Sequence, residues 1–132
     1  MPMGNVAVRR IGLVPGLGKV AIIEADFDAS YDNTNGELLD LTAFDPDVDF
    51  TTVHAISTLM IYTTGADPTF PVETLVCKVF IEPGAAQPAG TGFGTQIRCR
   101  AFAEDGTSGV TTQVANTTDL STVRCRFLVI GE

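Results

Sequence analysis

The chain has 132 residues, of which 45% are hydrophobic and 18% are charged, and its formal net charge is −8. A length and an apolar fraction of this size predict one folded domain and argue against two domains or a disordered chain. The negative charge argues against nucleic acid and anionic lipid as partners. No apolar run approaches the roughly 18 residues that a transmembrane helix requires.

The first 18 residues are apolar but repeatedly interrupted by glycine and proline. Such a composition predicts an extended N-terminal arm over residues 1–18 that contacts a neighbouring molecule, followed by a β-sandwich domain over residues 19–132. The alternative is an edge strand at Val6–Arg10 that folds back on its own domain. Arg9 and Arg10 interrupt the apolar stretch, so we expect no secretory signal here.

Strand-like segments and polar breaks alternate through the first half of the chain. Residues 19–27 predict a strand with acidic residues interleaved among apolar ones, and the polar cluster 28–36 predicts a loop. The leucines at 38, 39 and 41 predict a short strand or a turn before the acidic connector 45–49. Residues 50–63 predict either two short strands or one long bent strand.

The last third of the chain has the clearest strand pattern, because apolar residues alternate with polar ones over 74–82, 96–103 and 122–130. Together with the glycine- and proline-rich breaks, this spacing predicts an all-β fold, an antiparallel jelly-roll-like β-sandwich of about eight strands. The residues predicted to face inward are Leu75, Cys77, Val79 and Ile81; Ile97, Cys99, Ala101 and Ala103; and Val123, Cys125, Phe127 and Val129.

Charge is unevenly distributed between the first half and the last strands. Nine of the sixteen acidic residues lie within 24–49, whereas four arginines lie on the outward faces of the late strands. If the strands 96–103 and 122–130 are neighbours, their cations destabilise the sheet unless carboxylates intervene. Carboxylates of the same chain or of a partner can satisfy them, and the sequence leaves both alternatives open. The partner-binding candidates are Val6, Val8, Arg9, Arg10 and Ile11 in the arm and Arg98, Arg100, Arg124 and Arg126 on the strands.

The residue types that most catalytic and metal sites require are sparse. The single histidine, His54, lies in a strand-like segment, where a hydrogen-bonded structural role is expected. A glycine-rich stretch before Val20 resembles a phosphate loop, but Leu13 and Val20 break its pattern. We therefore predict no enzymatic activity, no cofactor and no catalytic residue. The three cysteines have no C-x-x-C spacing and are expected to be reduced core residues: Cys77, Cys99 and Cys125.

The acidic stretch raises the question of calcium, which prefers several oxygen ligands on one loop. The EF-hand pattern fails, because Phe50 stands at the position of the turn glycine and Ile56 at that of the closing glutamate. A looser site is left open beside the alternative of a solvated loop with Asx turns. Its ligands would be Asp28, Asp32, Asn33 and Asn35.

Two segments resemble a known family. At the C-terminus, residues 114–124 (VANTTDLSTVR) and 127–131 (FLVIG) resemble the closing strand of small structural proteins that are common in the head regions of tailed phages. Near the front, Lys19-Val20, Phe27–Tyr31 and Gly36–Leu39 are similar to their opening strand and to the loop after it. Such proteins tend to have Tyr-Pro-Thr-Gly-Gly-Glu in this loop, whereas the present chain has a longer segment from Tyr31 to Glu37.

The resemblance implies a capsid cement or decoration protein that binds the major capsid protein of the assembled lattice, as a homotrimer, and stabilises it. It also implies a location on the capsid exterior of the virion, after assembly in the host cytoplasm, and no enzymatic residues. Two alternatives stay open: another virion component, such as a tail, neck or receptor-binding knob, and a soluble carbohydrate-binding β-sandwich.

Overall fold

The computed structural model describes residues 3–41, 50, 52–65, 74–81, 96–104 and 109–132. In this part of the chain there are eight β-strands, and no helix is long and apolar enough to cross a membrane. The strands are β1 (Gly4–Val14), β2 (Gly18–Asp26), β3 (Glu37–Asp40), β4 (Val53–Thr63), β5 (Leu75–Ile81), β6 (Gln96–Glu104), β7 (Thr111–Gln113) and β8 (Val123–Gly131).

The strands form two sheets in which every pair of neighbours is antiparallel. One sheet has the order β1-β2-β8-β4, and the other has the order β3-β6-β5, with β7 also paired to β6. This architecture confirms the predicted all-β class with an antiparallel sandwich, and the finer jelly-roll arrangement stays a prediction.

Alternate residues of both sheets point into one shared core. Strand β8 alternates strictly between buried and half-buried residues along its whole length, as a strand does when one face covers a core. Ile23 and Phe127 from the first sheet belong to the same buried cluster as Leu39 and Ile97 from the second. The inward positions predicted for 74–82, 96–103 and 122–130 belong to this core or pack against it, except Ile81, whose side chain lies outside the described residues.

The two sheets also touch along both of their margins. The Met3 N–H, just before β1, donates a hydrogen bond of 2.8 Å to the Leu38 carbonyl oxygen in β3. At the opposite margin, the Thr58 hydroxyl in β4 donates a bond of 3.1 Å to the Cys77 carbonyl oxygen in β5. These contacts close the sandwich around its core on both sides.

The predicted N-terminal arm is, over its described length, strand β1 at the edge of the first sheet. It pairs with β2 from Gly4 to Val14, so the structure shows an edge strand of the same domain, longer than the Val6–Arg10 alternative. Val6 and Val8 pack against the core, which explains why the segment folds back. The predicted boundary between residues 18 and 19 falls inside β2.

The structure resolves the two alternatives that the sequence left open for residues 53–63 and for the leucines near residue 39. Residues 53–63 form a single strand, β4, with pairing irregularities between Val53 and Ala55 and between Thr58 and Met60, so the long bent strand is the alternative that the structure shows. The short strand predicted near the leucines is β3. No sequence pattern predicted β7, because three residues are too few to alternate. The acidic connector 45–49 lies outside the described residues.

Candidate functional site

The outer face of the β1-β2-β8-β4 sheet divides into an ionic half and an apolar half. Registers across β2, β8 and β4 place Asp26, Arg124 and Tyr62 in one row and Val20, Ile130 and Ala55 in another, nearer the β1–β2 turn. These residues alternate with buried ones on β2 and β8 and therefore point away from the core. The two halves have different chemistry.

The first ion pair of the ionic half joins β8 to β2. The Arg124 guanidinium binds both carboxylate oxygens of Asp26, at 2.5 and 2.8 Å, and the Asn5 side-chain amide donates to the same carboxylate at 2.8 Å. Asp26 is buried although it points outward. The hydrogen bond to Asp26 holds the pKa of Arg124 above its usual value. Arg124 is thus neutralised within its own chain.

The second ion pair is centred on Glu24, which is only 2% exposed. Arg126 and Arg9 both donate to its carboxylate, and the Tyr62 hydroxyl donates at 2.7 Å. Burial alone would raise the pKa of Glu24, but the hydrogen bonds from Arg126, Tyr62 and Arg9 outweigh it and lower the pKa to about 2. A buried carboxylate with this set of donors stays ionised at neutral pH.

The apolar half lies beside this ionic half on the same face. Its four aliphatic side chains are partly exposed, and we call them the apolar strip: Val20, Ile22, Leu128 and Ile130. Ala55 and Ser57 flank the strip on β4, and both are exposed. Because these two side chains are small, the surface there is flat.

The β1–β2 turn extends the apolar strip at one end. Pro15 and Gly16 form a tight turn in which the Leu17 N–H donates to the Val14 carbonyl oxygen at 3.0 Å, and Gly16 has a positive φ of 84°, the arrangement of a type II turn. Leu17 is 51% exposed. It borders a shallow depression of about 530 Å³ that is also lined by Ile130 and His54.

The other two arginines lie on the outer face of the other sheet. Arg100 donates to the Thr34 carbonyl oxygen at 2.9 Å, and its guanidinium lies 4.7 Å from the centre of the Phe80 ring. Arg98 reaches the Gly36 carbonyl oxygen at 3.5 Å. Both side chains therefore hold the loop between β2 and β3, which is an intramolecular role.

The four arginines predicted to bind a partner do not form one surface. Strand β6 carries Arg98 and Arg100 and lies in one sheet, whereas β8 carries Arg124 and Arg126 and lies in the other. Since all four point away from the shared core, the two pairs face opposite sides of the sandwich. The like-charge conflict considered for strands 96–103 and 122–130 does not arise, because β6 and β8 are not paired. Within the second sheet, however, Lys78 of β5 stands opposite Arg100 of β6.

The residues predicted in the arm are divided in the same way. Val6 and Val8 pack on the core, and Arg9 binds Glu24. Arg10 and Ile11 are exposed, and Arg10 forms no ion pair with any residue that the structure describes. Of the arm residues, these last two are therefore the ones available to a partner.

Two acidic residues that the sequence did not single out organise the ionic half. Glu24 and Asp26 are two positions apart on β2, and Arg126 and Arg124 are two positions apart on β8. Antiparallel pairing brings Glu24 opposite Arg126 and Asp26 opposite Arg124. This shared spacing is the signal that could have found them, once β2 and β8 were recognised as neighbours.

A buried acid also holds the loop that follows β2. Glu37 is fully buried, faces inward from β3, and accepts the Asp28 N–H with both carboxylate oxygens, at 2.9 and 3.1 Å. Burial raises the pKa of Glu37 to about 8, although the bond from Asp28 opposes the rise. Glu37 is therefore mostly protonated at neutral pH.

Hydrogen bonds from the backbone occupy the two aspartates among the residues considered for calcium. Asp28 Oδ1 accepts the Ser30 N–H at 2.8 Å, and Asp32 Oδ1 accepts the Thr34 N–H at 2.9 Å. These are Asx turns, the alternative that the sequence left open. Among the described residues, no group of three or more histidine, cysteine or acidic side chains is placed to hold a metal ion.

His54 and the cysteines have structural surroundings. His54 is half-buried in β4, with Nε2 3.5 Å from a carboxylate oxygen of Glu132. All three cysteines are free thiols in the core.

The chain matches no family model, no curated protein and no solved structure.

Proposed function

We propose that this chain is a structural module of a tailed-phage virion, a capsid cement protein that binds the assembled capsid through the apolar strip and the β1–β2 turn. The observation that carries the proposal is the division of one sheet face into an ionic half, whose two carboxylates are paired within the chain, and a flat apolar half. The resemblance of the C-terminal strand and of the loop after β2 to head-associated phage proteins supplies the class of partner.

The ionic half gives the sheet a defined shape, and its charge is mostly used within the chain, although the Arg9 and Arg126 side chains stay partly exposed. Glu24 and Asp26 are saturated by donors from their own chain, so the apolar half is the part of this face that gains most from being covered. Covering partly exposed aliphatic side chains contributes about 25 cal/mol per Å² of apolar area removed from water. A protein that binds only the assembled lattice shifts the equilibrium toward assembly by this binding energy.

The test uses empty capsid shells assembled from the major capsid protein encoded in the same genome. Shells are incubated with the purified chain and sedimented, and the bound fraction is measured against concentration. We expect saturable binding, and a rise in the temperature at which the shells dissociate.

Two variants add a charge to the proposed surface at exposed positions, Ala55→Glu beside the apolar strip and Leu17→Glu in the turn. Each should weaken binding at least about tenfold, because a desolvated carboxylate has no partner there. Val110→Glu is the matched control, since Val110 is 56% exposed and lies outside this surface. Equal binding by all three variants and the unchanged chain would refute the proposed surface, and absence of binding by the unchanged chain would refute the function.

A further inference from the structure

Strand β1 leaves one edge of its sheet open. It pairs with β2 on one side only, and from Asn5 to Val14 no described residue pairs with its other side. An open edge presents a row of backbone N–H and C=O groups that another strand can use. This eleven-residue strand contains no proline, and its two pairing irregularities, which would discourage an incoming strand, both lie between Gly4 and Arg10.

The regular part of this edge is also unusually apolar. Between Arg10 and Val14 the pairing with β2 has no irregularity, so the strand is regular there. Ile11 and Leu13 lie on the same side of the sheet as the core, yet they are 43% and 81% exposed. The hairpin therefore extends beyond the cover of the second sheet and leaves two inward-facing aliphatic side chains in solvent.

We infer that this edge pairs with the same edge of a second copy of the chain, antiparallel and with the two-fold axis at Gly12. In that register, Ile11 of one copy lies opposite Leu13 of the other on one face. Arg10 of one copy lies opposite Val14 of the other on the opposite face. Antiparallel pairing about a two-fold axis joins the two four-stranded sheets into one sheet of eight strands.

The distribution of charge along the chain favours a second copy of the chain as the partner at this edge. The first 23 residues contain three basic residues and no acidic one, whereas the rest of the chain contains sixteen acidic and five basic residues. The β1 edge is therefore the segment where two chains of net charge −8 meet with least repulsion. The two Arg10 side chains stand four residues apart along the seam, about 13 Å at 3.3 Å per residue. Salt screens their repulsion at this distance, because the Debye length is about 8 Å under physiological conditions.

The size of the contact sets the expected strength. Five residues from each copy bury less than the roughly 1,200 Å² of a standard interface, so the dimer should dissociate in about the micromolar range. Analytical ultracentrifugation of the full chain from about 1 µM to 500 µM should show a monomer–dimer equilibrium. A monomer throughout this range, or a trimer, would overturn the inference.

A cysteine cross-link tests the register. Directly opposed residues of an antiparallel pair have Cα atoms about 4.5–5.5 Å apart, within the range that a disulfide spans. Gly12→Cys should therefore form a disulfide-linked dimer in good yield under mild copper-catalysed air oxidation. Gly4→Cys is the matched control, because both glycines have open space where a Cβ would stand, and it should cross-link only by random collision.

A charge at the seam tests the apolar contact. Leu13→Glu should weaken dimerisation at least about tenfold, whereas Val110→Glu, at an exposed position just before β7 in the other sheet, should leave it unchanged. Leu13 is largely exposed, so the variant should fold, and circular dichroism checks this. Equal cross-linking of Gly12→Cys and Gly4→Cys, or dimerisation unaffected by Leu13→Glu, would contradict this pairing whatever the outcome of the capsid experiment.

Discussion

Glu37 is the residue whose surroundings depart furthest from those its chemistry prefers. Its carboxyl group lies in the core at an inward-facing position of β3, opposite Cys99 in the register with β6. Its described hydrogen bonds come from one backbone donor, the Asp28 N–H. One neutral donor does not compensate the loss of hydration of a carboxylate, so the neutral acid is the stable form in the fold.

Glu37→Gln should make the fold more stable at alkaline pH. The pKa of Glu37 is raised from 4.5 to about 8, so between these values the folded chain binds a proton that the unfolded chain has released. The free energy of unfolding of the natural chain should therefore fall as pH rises from about 4.5 to about 8. Glutamine does not titrate, and the variant should be more stable at pH 8 by about 1–3 kcal/mol.

Urea unfolding at pH 5, 6.5 and 8 measures this difference. Glu104→Gln is the control, because Glu104 is an exposed carboxyl group on β6, and it should not change the pH dependence. A natural chain whose stability does not decrease between pH 5 and 8 would show that Glu37 is ionised in the fold.

The inward orientation of residues such as Cys99, Cys125 and Phe127 could be predicted from the sequence, because the two-residue period of a strand determines which side chains share a face. The burial of Glu37 could not, since a carboxylate beside Gly36 reads as part of a polar loop. Its burial follows from pairing with β6, which lies about sixty residues away in the chain.

At the scale of strands, the pairing of β2 with β8 explains why two carboxylates and two arginines are buried or half-buried on a solvent-facing surface. Each carboxylate stands opposite its arginine in the register. Arg9 from β1 and Tyr62 from β4 complete the set of donors to Glu24. All four strands of this sheet are therefore connected through side chains as well as through backbone hydrogen bonds.

Glu24→Gln should destabilise the fold at neutral pH, because Arg9 and Arg126 lose the charge that they bind. Both arginines retain contact with solvent, which reduces the cost to about 1–2 kcal/mol. The pKa of Glu24 is lowered from 4.5 to about 2, so its contribution is present above pH 4.5 and is lost as pH falls toward 2. The difference between the natural chain and the variant should shrink over that window in acid unfolding experiments.

Val110→Gln serves as the control for a neutral polar substitution at an exposed position. It should leave both the midpoint of urea unfolding and the acid limb unchanged. A Glu24→Gln variant as stable as the natural chain at pH 7 would mean that the carboxylate adds nothing beyond its hydrogen bonds.

Strand β1 makes a second prediction at this scale. Removing residues 1–17 deletes the apolar contacts of Met3, Val6 and Val8 with the core and leaves Glu24 without Arg9. Each buried aliphatic side chain contributes about 1.5–3 kcal/mol, so the truncated chain should lose at least about 3 kcal/mol. The midpoint of urea unfolding measures the loss, and an unchanged midpoint would show that the segment is a detachable arm.

The strand positions in the last third of the chain could be predicted to within one or two residues, because each strand alternates and is bounded by polar breaks. The assignment of β6 and β8 to different sheets could not, since pairing is set by contacts far apart in the sequence. Alternation alone therefore does not show that the four arginines lie on two opposite faces of the sandwich. The β1–β2 hairpin could be predicted from the sequence, because Pro15-Gly16 is a typical turn pair between two apolar runs.

On the scale of the whole molecule, the two sheets share one core rather than folding around separate ones. The three thiols lie at this junction: Cys77 and Cys99 in one sheet and Cys125 in the other. None of the three is more than 6% exposed. Burial raises the pKa of Cys99, which keeps its thiol protonated and unreactive.

The thiols therefore report on whether the sandwich unfolds as one unit. In the native protein, an aromatic disulfide reagent should modify none of them, and in urea all three should react, since each thiol becomes accessible only when the sheets separate. Because the core is shared, the urea midpoint for modification of Cys125 should coincide with that for Cys77 and Cys99 and with that from circular dichroism. Variants that retain one cysteine, with alanine at the other two positions, assign each signal. Each replacement should cost about 1–2 kcal/mol, so the modification midpoint of each variant is compared with the circular-dichroism midpoint of the same variant. Modification of Cys125 at a lower urea concentration than that reference would show that the sheets separate before they unfold, and a single reactive thiol in denatured, unreduced protein would reveal a disulfide.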